Sequence, residues 1–226
     1  SDQAEQPVTG TRMEPAIAAM DLTKSFGDIS AVNGISLEVN PAEIYGLVGP
    51  DGAGKTTTLR MLSSIMPPTS GTAKIAGFDV QTQPELVKAN LAYMSQRFGL
   101  YQDLTVWENV NFYADLYGVP VKERKEKIEE LLDFSSMMPF KKRTAGALSG
   151  GMKQKLQLVC ALIHTPKVLL LDEPTNGVDP VSRRDFWRIL YKLLAQNVAI
   201  LVSTAYLDEA ERCGRVGLLD NGRLLA

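Results

Sequence analysis

Short segments of alternating or continuous apolar residues occupy both ends of the chain. The strand-like segments are AIAAMDL, ISLEV, EIYGLVG, TAKIAG and LAYMSQ in the first hundred residues, and KVLLLDEP, VAILVST and RVGLLDNGRLLA after Pro166. In ISLEV, residues Ile35, Leu37 and Val39 recur at a period of two, so they face one side of a strand. EIYGLVG is a continuous apolar run that ends in glycine, which is typical of a central strand.

Helical periodicity appears between these strands and dominates the middle of the chain. Residues 55–62 and PELVKAN are short helices between strands. Three helical segments then follow with little strand between them, at Thr105–Tyr117, Val121–Asp133 and Leu148–His164. They predict an inserted helical lobe. After it, helices at Pro180–Ala195 and Leu207–Arg212 alternate with strands again, which favours an α/β core. Asn221-Gly222 between two apolar runs predicts a tight hairpin.

Composition narrows the possible functions. Lys plus Arg number 24 against 26 for Asp plus Glu, a net charge of −2, so the basic stripe of a general nucleic-acid binder is not expected. Cys160 and Cys213 are interpreted as small buried hydrophobes. The chain has one histidine, His164, so neither a zinc site nor a Ser-His-Asp catalytic triad is expected. His164 is predicted to be a surface residue. No apolar run approaches the ~18 residues of a membrane span, and no signal peptide opens the chain, so membrane contact requires a partner. Residues 1–15 are interpreted as a flexible lead-in.

The stretch GPDGAGKTT, Gly49–Thr57, lies between a strand and a helix and fits the pattern G-x-x-x-x-G-K-[ST]. Its glycines allow the backbone to form a nest of N–H donors around phosphate oxygens. Lys55 reaches the β- and γ-phosphates, Thr56 ligates Mg²⁺, and Thr57 adds a hydroxyl to the α-phosphate. The predicted ATP-binding residues of this loop are Gly49, Pro50, Asp51, Gly52, Ala53, Gly54, Lys55, Thr56 and Thr57.

Two carboxylates end the apolar run KVLLLDEP. A buried parallel strand explains Val168–Leu171, but it does not explain Asp172 and Glu173 at the carboxyl end, where open α/β sheets bind ligands. We expect Asp172 to hold Mg²⁺ through water and Glu173 to orient or deprotonate an attacking water. A solvated acidic turn is the alternative for this segment taken alone.

A second glycine motif, LSGGMKQK, opens the helix that starts near Leu148. Ser149 is a candidate N-cap, and Gly150-Gly151 expose N–H groups beside it. The motif is far in sequence from Gly49–Thr57, so a triphosphate held there does not necessarily reach it. Both motifs are used if the P-loop of one domain and the Ser-Gly-Gly helix of another close on the same nucleotide.

These motifs together resemble the nucleotide-binding domain of an ABC transporter ATPase. The resemblance rests on Gly49–Thr56, Gln96, LSGGMKQ, LLLDEP and GVDP, and it covers the chain from about Ala16 to Ala226. It implies an α/β fold: a P-loop NTPase (RecA-like) core with a mainly parallel sheet, an N-terminal antiparallel β subdomain, and an α-helical subdomain inserted at about residues 97–165. Further stretches, such as NGVDPVSRRDFW, are similar to the first ATPase domain of tandem subunits in bacterial ABC-2-type exporters.

The resemblance also implies partners and a location. In this family two ABC ATPase domains pair head to tail and enclose ATP, and transmembrane permease subunits bind them at the cytoplasmic side of the bacterial inner membrane. It assigns Ser149, Gly150, Gly151 and Gln154 to the partner's nucleotide, and Asp179 to the dimer interface. Taken alone, Asp179-Pro180 is simply a helix start.

Two further residues take their roles from the resemblance. Gln96 senses Mg²⁺ and the attacking water, so the implied catalytic set is Glu173, Lys55 and Gln96, and the metal set is Thr56, Gln96 and Asp172. Phe26 stacks on adenine, although a core or turn phenylalanine is the alternative. Arg97–Val106 lines a groove for a permease helix, although its apolar members Phe98, Leu100, Tyr101 and Leu104 would suit the lobe core equally.

One position departs from the family pattern. Members commonly carry histidine after Ser203-Thr204, where it donates a hydrogen bond to the γ-phosphate, and this chain has Ala205. Loss of one preorganised donor costs on the order of 10²–10³ in rate elsewhere. We therefore expect ATP at this P-loop to be bound well and cleaved slowly, with a faster site on the second domain. A substitution made to trap ATP would give the same sequence.

Three functions remain open on these grounds. The first is an ATPase that powers export through separate membrane subunits. A pull-down of those subunits would distinguish it from the second. The second is an ABC protein that acts on ribosomes or DNA, although the charged linkers and large insertions usual in such proteins are absent. The third is an ATP-binding gating domain with little turnover, which Ala205 favours and Glu173 disfavours. The end of the sequence within the Asn221-Gly222 hairpin leads us to expect a second ATPase domain on the same chain.

Overall fold

Two β-sheets and seven α-helices form the part of the chain that the computed structural model describes, residues 13–97 and 99–225. The strands are β1 (Ile17–Phe26), β2 (Ile29–Val39), β3 (Ile44–Val48), β4 (Ser70–Ile75), β5 (Phe78–Asp79), β6 (Leu91–Met94), β7 (Val168–Asp172), β8 (Ala199–Thr204), β9 (Arg215–Asp220) and β10 (Arg223–Leu224). The helices are α1 (Lys55–Leu62), α2 (Pro84–Asn90), α3 (Val106–Leu116), α4 (Val121–Phe134), α5 (Gly150–Leu162), α6 (Pro180–Leu194) and α7 (Leu207–Ala210).

The six-stranded sheet has the order β10-β9-β3-β8-β7-β6. Its strands pair in parallel except at the β9–β10 hairpin. Every residue of β3, β7 and β8 is buried, because helices or the second sheet cover both faces, which explains the continuous apolar runs in these strands. The predicted hairpin is present: Asn221 and Gly222 adopt φ of 47° and 75°, as a type I′ turn requires.

The four-stranded sheet, in the order β2-β1-β4-β5, is antiparallel. Ile17 of β1 lies opposite Val39 of β2 and Ile75 of β4, and all three are fully buried. Ile35 and Leu37 are buried on the same side as Val39, as their period-two spacing predicts. The predicted N-terminal antiparallel β subdomain is confirmed.

Three groups of apolar side chains form the interior. The first joins the antiparallel sheet to one face of the six-stranded sheet. The second covers the other face, where α5 and α6 supply Leu158, Phe186 and Trp187. The third lies among α3, α4 and α5 and includes Val110, Ile128 and others. The helical lobe thus has its own core and meets the sheet through α5.

Local capping explains where the lobe begins. Thr105 caps α3 through the Glu108 backbone N–H, and the Glu108 carboxylate accepts from the Thr105 N–H at 2.7 Å. The buried Asn109 amide donates to the backbone oxygens of Tyr101, Leu104 and Thr105. These bonds hold the loop before α3 against the lobe.

The prediction that His164 is a surface residue is wrong. Its ring is half-buried, lies parallel to the Tyr117 ring with centroids 4.0 Å apart, and its Nε2 bonds to the Leu91 backbone oxygen at 2.8 Å. Burial lowers the pKa of the imidazole, and the bond to Leu91 opposes that shift only in part. Two segments distant in sequence therefore form the environment of His164.

The cysteines are free thiols. Cys160 is fully buried in α5, and burial raises the pKa of its thiol. Cys213 is partly buried in the turn after α7, and burial raises the pKa of its thiol to about 12.

Within residues 13–97 and 99–225, no helix is both long and apolar enough to cross a bilayer. The interpretation of residues 1–15 as a flexible lead-in falls outside the described residues up to position 12, as does the assignment of Phe98 to a groove.

The hairpin turn at Gly222 makes a sharp test of this packing. A Cβ at Gly222 would lie 2.7 Å from the Ala31 backbone oxygen, whereas a Cβ at Gly34, with a similar φ of +72°, would meet nothing within 4 Å. Gly34→Ala should cost only the left-handed conformation, about 1–2 kcal/mol of unfolding free energy. Gly222→Ala should cost about 1–3 kcal/mol more, because backbone must move. Thermal unfolding of the two variants measures the difference.

Equal losses of stability in the two variants would contradict the packing of the hairpin on β2. For a domain of this size, the extra loss at Gly222 should lower Tm by about 2–4 °C per kcal/mol.

Candidate functional site

The candidate site lies at the carboxyl ends of three neighbouring strands. The loop after β3 carries Gly49–Thr57, the loop after β7 carries Glu173, and Ala205 follows β8. Because β8 lies between β3 and β7 in the sheet, all three loops emerge at one edge. Open parallel sheets bind ligands at this edge.

The P-loop backbone has the conformation that its glycines allow. Gly52 and Gly54 have φ of 78° and 104°, and a Cβ at Gly49 would overlap the Leu219 backbone oxygen. Gly54 precedes α1 without a side-chain cap, and α1 has no acidic residue in its first turn. The backbone N–H groups at the start of α1 are therefore open to an anion without competition from a capping side chain.

Lys55 is turned into this loop. Its ammonium donates to the backbone oxygens of Gly49 and Pro50, the latter at 3.0 Å, and lies 3.4 Å from the Glu173 Oε1 atom. Both side chains are largely buried. A phosphate group offers the same ammonium several charged acceptors at once, so bound triphosphate would compete directly with these partners.

The Asp172 carboxylate lies at the centre of a hydroxyl network. Its Oδ2 accepts from Thr56 Oγ1 at 2.9 Å and from the Tyr93 hydroxyl at 3.4 Å, and its Oδ1 accepts from Ser203 Oγ at 2.7 Å. Burial, and then the charge of Asp172, raise the pKa of Tyr93 to about 12, so the phenol stays a donor. Sequence reasoning missed Ser203 and Tyr93; the available signal was a polar atom within each apolar strand.

The Thr56–Asp172 pair fits a Mg²⁺ ion. Mg²⁺ favours oxygen ligands and is commonly held by one or two protein groups together with waters and substrate phosphates. Thr56 and Asp172 supply a hydroxyl and a carboxylate that already face each other beside the phosphate loop. The donor set therefore suits a magnesium ion that arrives with its nucleotide.

Glu173 adopts an unusual conformation for a non-glycine residue, with φ of 48°. Its backbone N–H donates to both the backbone oxygen and Oγ of Ser203, at 3.1 and 3.0 Å. Gln96 is exposed in the turn after β6, and Met94 at the end of β6 lies opposite Leu171 of β7. The structure therefore brings Gln96 and Glu173 to the same edge on neighbouring strands.

Phe26 lies at the end of β1 with 49 % of its surface exposed, and the Lys24 ammonium lies 5.3 Å from its ring centre. The neighbouring strand β2 reaches the P-loop, because the Gly54 backbone packs against the Ala31 oxygen. Phe26 is thus an available aromatic face on the sheet next to the phosphate loop. Its exposure excludes a core phenylalanine, while its place directly before the turn at Gly27-Asp28 fits the alternative of a turn phenylalanine.

The second glycine motif lies on a different part of the domain. Ser149 caps α5 through the Met152 N–H at 3.2 Å, as predicted. A Cβ at Gly150 would meet nothing within 4 Å, whereas one at Gly151 would overlap the Ser182 side chain at the start of α6. Gln154 Oε1 is buried and accepts no hydrogen bond from the described residues. Helix α5 packs on α3, α6 and β6, whereas α1 packs on β2, β4 and β7.

Asp179 caps α6, and Pro180 is the first helical residue, as predicted. The Asp179 carboxylate accepts from the backbone N–H groups of Val181 and Ser182 at 3.1 and 2.9 Å, and these bonds lower its pKa. Because Gly151 packs on Ser182, the Ser-Gly-Gly motif lies beside the start of α6, where Asp179 is the N-cap.

Ala205 is exposed directly after β8, next to the P-loop, since the Gly49 N–H donates to the Thr204 oxygen at 3.1 Å. His164 does not reach this position. It bonds to Leu91 at the amino end of β6, at the opposite edge of the sheet. The described residues therefore place no imidazole near the phosphate loop.

A glycine loop that joins a buried strand to a helix, facing an acidic strand end, defines the class of P-loop nucleotide-binding proteins. The chain matches the ABC transporter family model over residues 32–176, and it belongs to this family of ATP-binding proteins. Over 198 residues it is 52 % identical to the probable multidrug ABC transporter ATP-binding protein YbhF of Escherichia coli K12, an alignment that covers 88 % of this chain and 34 % of that protein.

Two further comparisons agree. The chain is 38 % identical over 214 residues to the Nod factor export ATP-binding protein I of Paraburkholderia xenovorans, covering 94 % of this chain and 70 % of the relative. A solved ATP binding subunit of an ABC transporter superposes with a TM-score of 0.82 at 30 % identity, covering 93 % and 88 % of the two chains. The predicted P-loop NTPase fold is therefore confirmed, and the chain spans about a third of the length of YbhF.

The two glycines of the second motif should respond oppositely to alanine. Gly151→Ala should lower the free energy of unfolding by about 1–3 kcal/mol, because its methyl group overlaps Ser182. Gly150→Ala should leave stability unchanged or slightly higher, since alanine favours helix and the space is open. Chemical denaturation of the isolated domain measures both.

Ser182→Gly removes the overlapping atoms and should restore part of the stability of Gly151→Ala. A Gly151→Ala variant as stable as the unsubstituted domain would show that α5 and α6 are farther apart than the structure places them.

Proposed function

We propose that this domain binds and hydrolyses ATP with Mg²⁺ and powers an ABC-type export system, a multidrug or ABC-2-type efflux system. The observation that carries the proposal is the convergence of Lys55, Thr56, Asp172 and Glu173 at one sheet edge. The names of the relatives support the export role, because they include a multidrug transporter and an exporter of Nod factor.

Each residue has a role that its contacts support. The N–H groups of Gly49–Thr57 and the Lys55 ammonium bind the phosphates, and Thr56 with Asp172 would hold the magnesium ion. That ion, when bound, neutralises charge that develops on the phosphate oxygens. Glu173 orients the attacking water and accepts its proton, with Gln96 beside it. Phe26 stacks on the adenine ring.

A second ABC ATPase domain completes the site in this proposal. Ser149 and Gly150 are exposed at the start of α5, which packs on α3, α6 and β6, whereas α1 packs on β2, β4 and β7. We infer that the nucleotide they contact is the partner's, together with Gln154 on the same helix, whose Oε1 is buried and accepts no hydrogen bond from the described residues. Gly151 packs against Ser182 at the start of α6, and Asp179 is the N-cap of that helix. We infer that both residues lie at the interface with the partner domain. ATP-driven closure of the two domains is then the conformational step, and hydrolysis reopens them.

An exposed aromatic patch on the helical lobe suits a transmembrane permease subunit. Tyr101 and Phe112 are both partly exposed and pack edge to face with centroids 4.6 Å apart, and Leu116 on the same helix is exposed. Asn109 holds the loop beneath the patch in place. Leu100 and Leu104 are half-buried, so the loop contributes to the lobe core as well as to the patch.

The proposal also includes the domain bounds, the location and the partners of the protein. Residues 16–226 form the ATPase domain, with the helical subdomain at about 97–165. The domain works at the cytoplasmic side of the bacterial inner membrane, as the first of two tandem ATPase domains. Nucleic acid is not a partner, in keeping with the net charge of −2.

Slow turnover at this P-loop is the second part of the proposal. Ala205 presents a methyl group where family members commonly place a hydrogen-bond donor to the γ-phosphate. The remaining groups, Lys55 and Glu173, stay in contact, so hydrolysis is weakened but not abolished. An ATP-binding gating domain with very low turnover is the limiting case.

Ala205→His should speed single-turnover ATP hydrolysis at this site in the assembled pair of domains. The restored donor can contribute up to on the order of 10²–10³ in rate, as single oxyanion donors do elsewhere. Ala205→Leu adds bulk without a donor and should not accelerate the reaction. Equal rates in the unsubstituted and Ala205→His proteins would contradict slow turnover caused by the missing donor.

Glu173→Gln should trap ATP between two domains. The amide keeps the shape of the side chain but cannot accept the proton of water, so closure proceeds and hydrolysis stops. For the isolated domain, light scattering should give the molar mass of a dimer with ATP and Mg²⁺ and that of a monomer with ADP. In the complete protein, where the two domains share one chain, closure should lower the hydrodynamic radius at unchanged mass.

Lys55→Ala is the control for nucleotide dependence, because it removes the phosphate contact and should abolish the ATP-induced change. ATP binding that never brings two such domains together would refute the shared site.

A further inference from the structure

A second buried carboxylate, outside the proposed catalytic set, lies behind the nucleotide site. Glu209 of α7 is 1 % exposed. Its Oε2 accepts from the Thr204 hydroxyl at 2.6 Å, and its Oε1 accepts from the Thr175 hydroxyl. A buried charged group is costly unless its oxygens are hydrogen-bonded, and here each carboxylate oxygen has a hydroxyl donor.

The two hydroxyls belong to the two loops that flank the proposed reaction centre. Thr204 directly precedes Ala205, and its backbone oxygen accepts from the P-loop Gly49 N–H. Thr175 is fully buried two residues after Glu173. The Glu209 carboxylate therefore bridges the loop that carries Glu173 and the segment that carries residue 205, at the side opposite to solvent.

A cation extends the bridge to α6. Arg183 Nε lies 3.8 Å from Glu209 Oε1, and its Nη1 lies 3.2 Å from Asp208 Oδ2. The Arg183 guanidinium also covers the Tyr206 ring at 5.4 Å, while the Tyr206 hydroxyl donates to Asn176 Oδ1 at 3.1 Å. The backbone N–H of Arg183 donates to the backbone oxygen of Asp179 at 2.9 Å, in the first turn of α6. The start of α6 therefore belongs to the same group of contacting residues.

Stability alone is a weak reason for this arrangement. Replacing a buried ion pair with well-packed apolar residues is often neutral or stabilising in proteins. What the Glu209 carboxylate does provide, with a hydroxyl donor on each oxygen, is one fixed geometry for the segments it joins, since a displaced oxygen or hydroxyl would be left unpaired.

We propose that Glu209 is a positioning residue for ATP hydrolysis. Acting through Thr175 and Thr204, it holds the Glu173 loop and the 205 segment in one relative position around the terminal phosphate, and it does not touch the substrate itself. The inference rests on the proposed ATPase function.

The test compares two neighbouring carboxylates that share a partner. Glu209→Gln places an NH₂ group, which cannot accept, opposite one threonine hydroxyl. Asp208→Asn makes the same chemical change at an exposed residue that also pairs with Arg183. Small displacements of catalytic groups cost up to about 100-fold in rate. We therefore expect Glu209→Gln to lower kcat at this P-loop, taken from the slower phase of single-turnover hydrolysis by the complete protein, on the order of 10-fold or more. KM for ATP should change by less than about twofold, and Asp208→Asn should leave both parameters within about twofold.

A coupling measurement separates positioning from general damage. Any rate gain from Ala205→His should be largely lost when Glu209→Gln is added, because the imidazole needs a fixed segment beneath it. The gain should persist with Asp208→Asn. Thr175→Val, which removes one hydroxyl at nearly constant volume, should act in the same direction as Glu209→Gln if the latter folds poorly.

Hydrogen exchange provides a readout that does not depend on activity. In the nucleotide-free protein, Glu209→Gln should raise exchange together at residues 174–178 and 205–208, and Asp208→Asn should not. An equal effect of both variants on kcat and exchange, or a loss of ATP affinity as large as the loss of kcat, would overturn the proposal. If the unsubstituted protein hydrolyses no ATP, the proposed function fails, and coupled exchange of the two segments still decides whether Glu209 joins them.

Discussion

The hydrogen bonds of the Asp172 carboxylate are the interaction on which the site depends. This buried group closes β7 and accepts from Thr56 of the phosphate loop and Ser203 of the neighbouring strand, so three segments that are far apart in sequence meet at two oxygens. A carboxylate in that position is acceptable because hydroxyl groups satisfy it, and each hydroxyl is available because a buried parallel strand or the helix after the P-loop places it there. The conformation of Glu173 follows from the same contact, since Ser203 also accepts its backbone N–H. If Asp172 were apolar, the ends of the three strands would still pack, but the phosphate loop would be joined to the acidic loop through the Lys55–Glu173 ion pair without the hydroxyl contacts of Asp172.

The glycines of the two motifs have different physical reasons. In the P-loop, Gly52 and Gly54 have positive φ, and Gly49 allows close approach of the β9 backbone. In the second motif the backbone is ordinary helix, and the two glycines have different surroundings. Gly151 allows the close approach of Ser182 in α6, whereas a side chain at Gly150 would meet no atom within 4 Å. A shared residue type therefore supports a phosphate nest in one place and a helix contact with an exposed face in the other. The difference bears on the proposed function, because an open face at the start of α5 leaves room for a group from outside this domain.

The methyl side chain of Ala205 cannot form a hydrogen bond, but several of its neighbours in sequence do. Thr204, Tyr206 and Glu209 make hydrogen bonds or ion pairs that hold the segment against the Glu173 loop and the start of α6. Under the proposed function, the contacts that would position a donor to the γ-phosphate are present, and Ala205 stands in place of that donor. Such a site is expected to keep its geometry and lose rate, rather than lose both, because preorganisation resides in the supporting contacts.

The sequence alone determined the features that depend on neighbouring residues. Apolar runs set the buried strands, Asn221-Gly222 set the hairpin, and Gly49–Thr57 set the phosphate loop, because strand period, turn conformation and helix start are local properties of the backbone. Only the tertiary structure decided which distant side chains meet. Ser203 and Tyr93 on Asp172, Thr175 on Glu209, and Ser182 against Gly151 join residues 31 to 79 positions apart. His164 was assigned to the surface for the same reason: its burial depends on Tyr117 and Leu91, which no pattern around position 164 contains. Contacts of this kind form when the sheet closes and the helices pack, so they follow from the shape of the whole domain and not from the order of residues in any one segment.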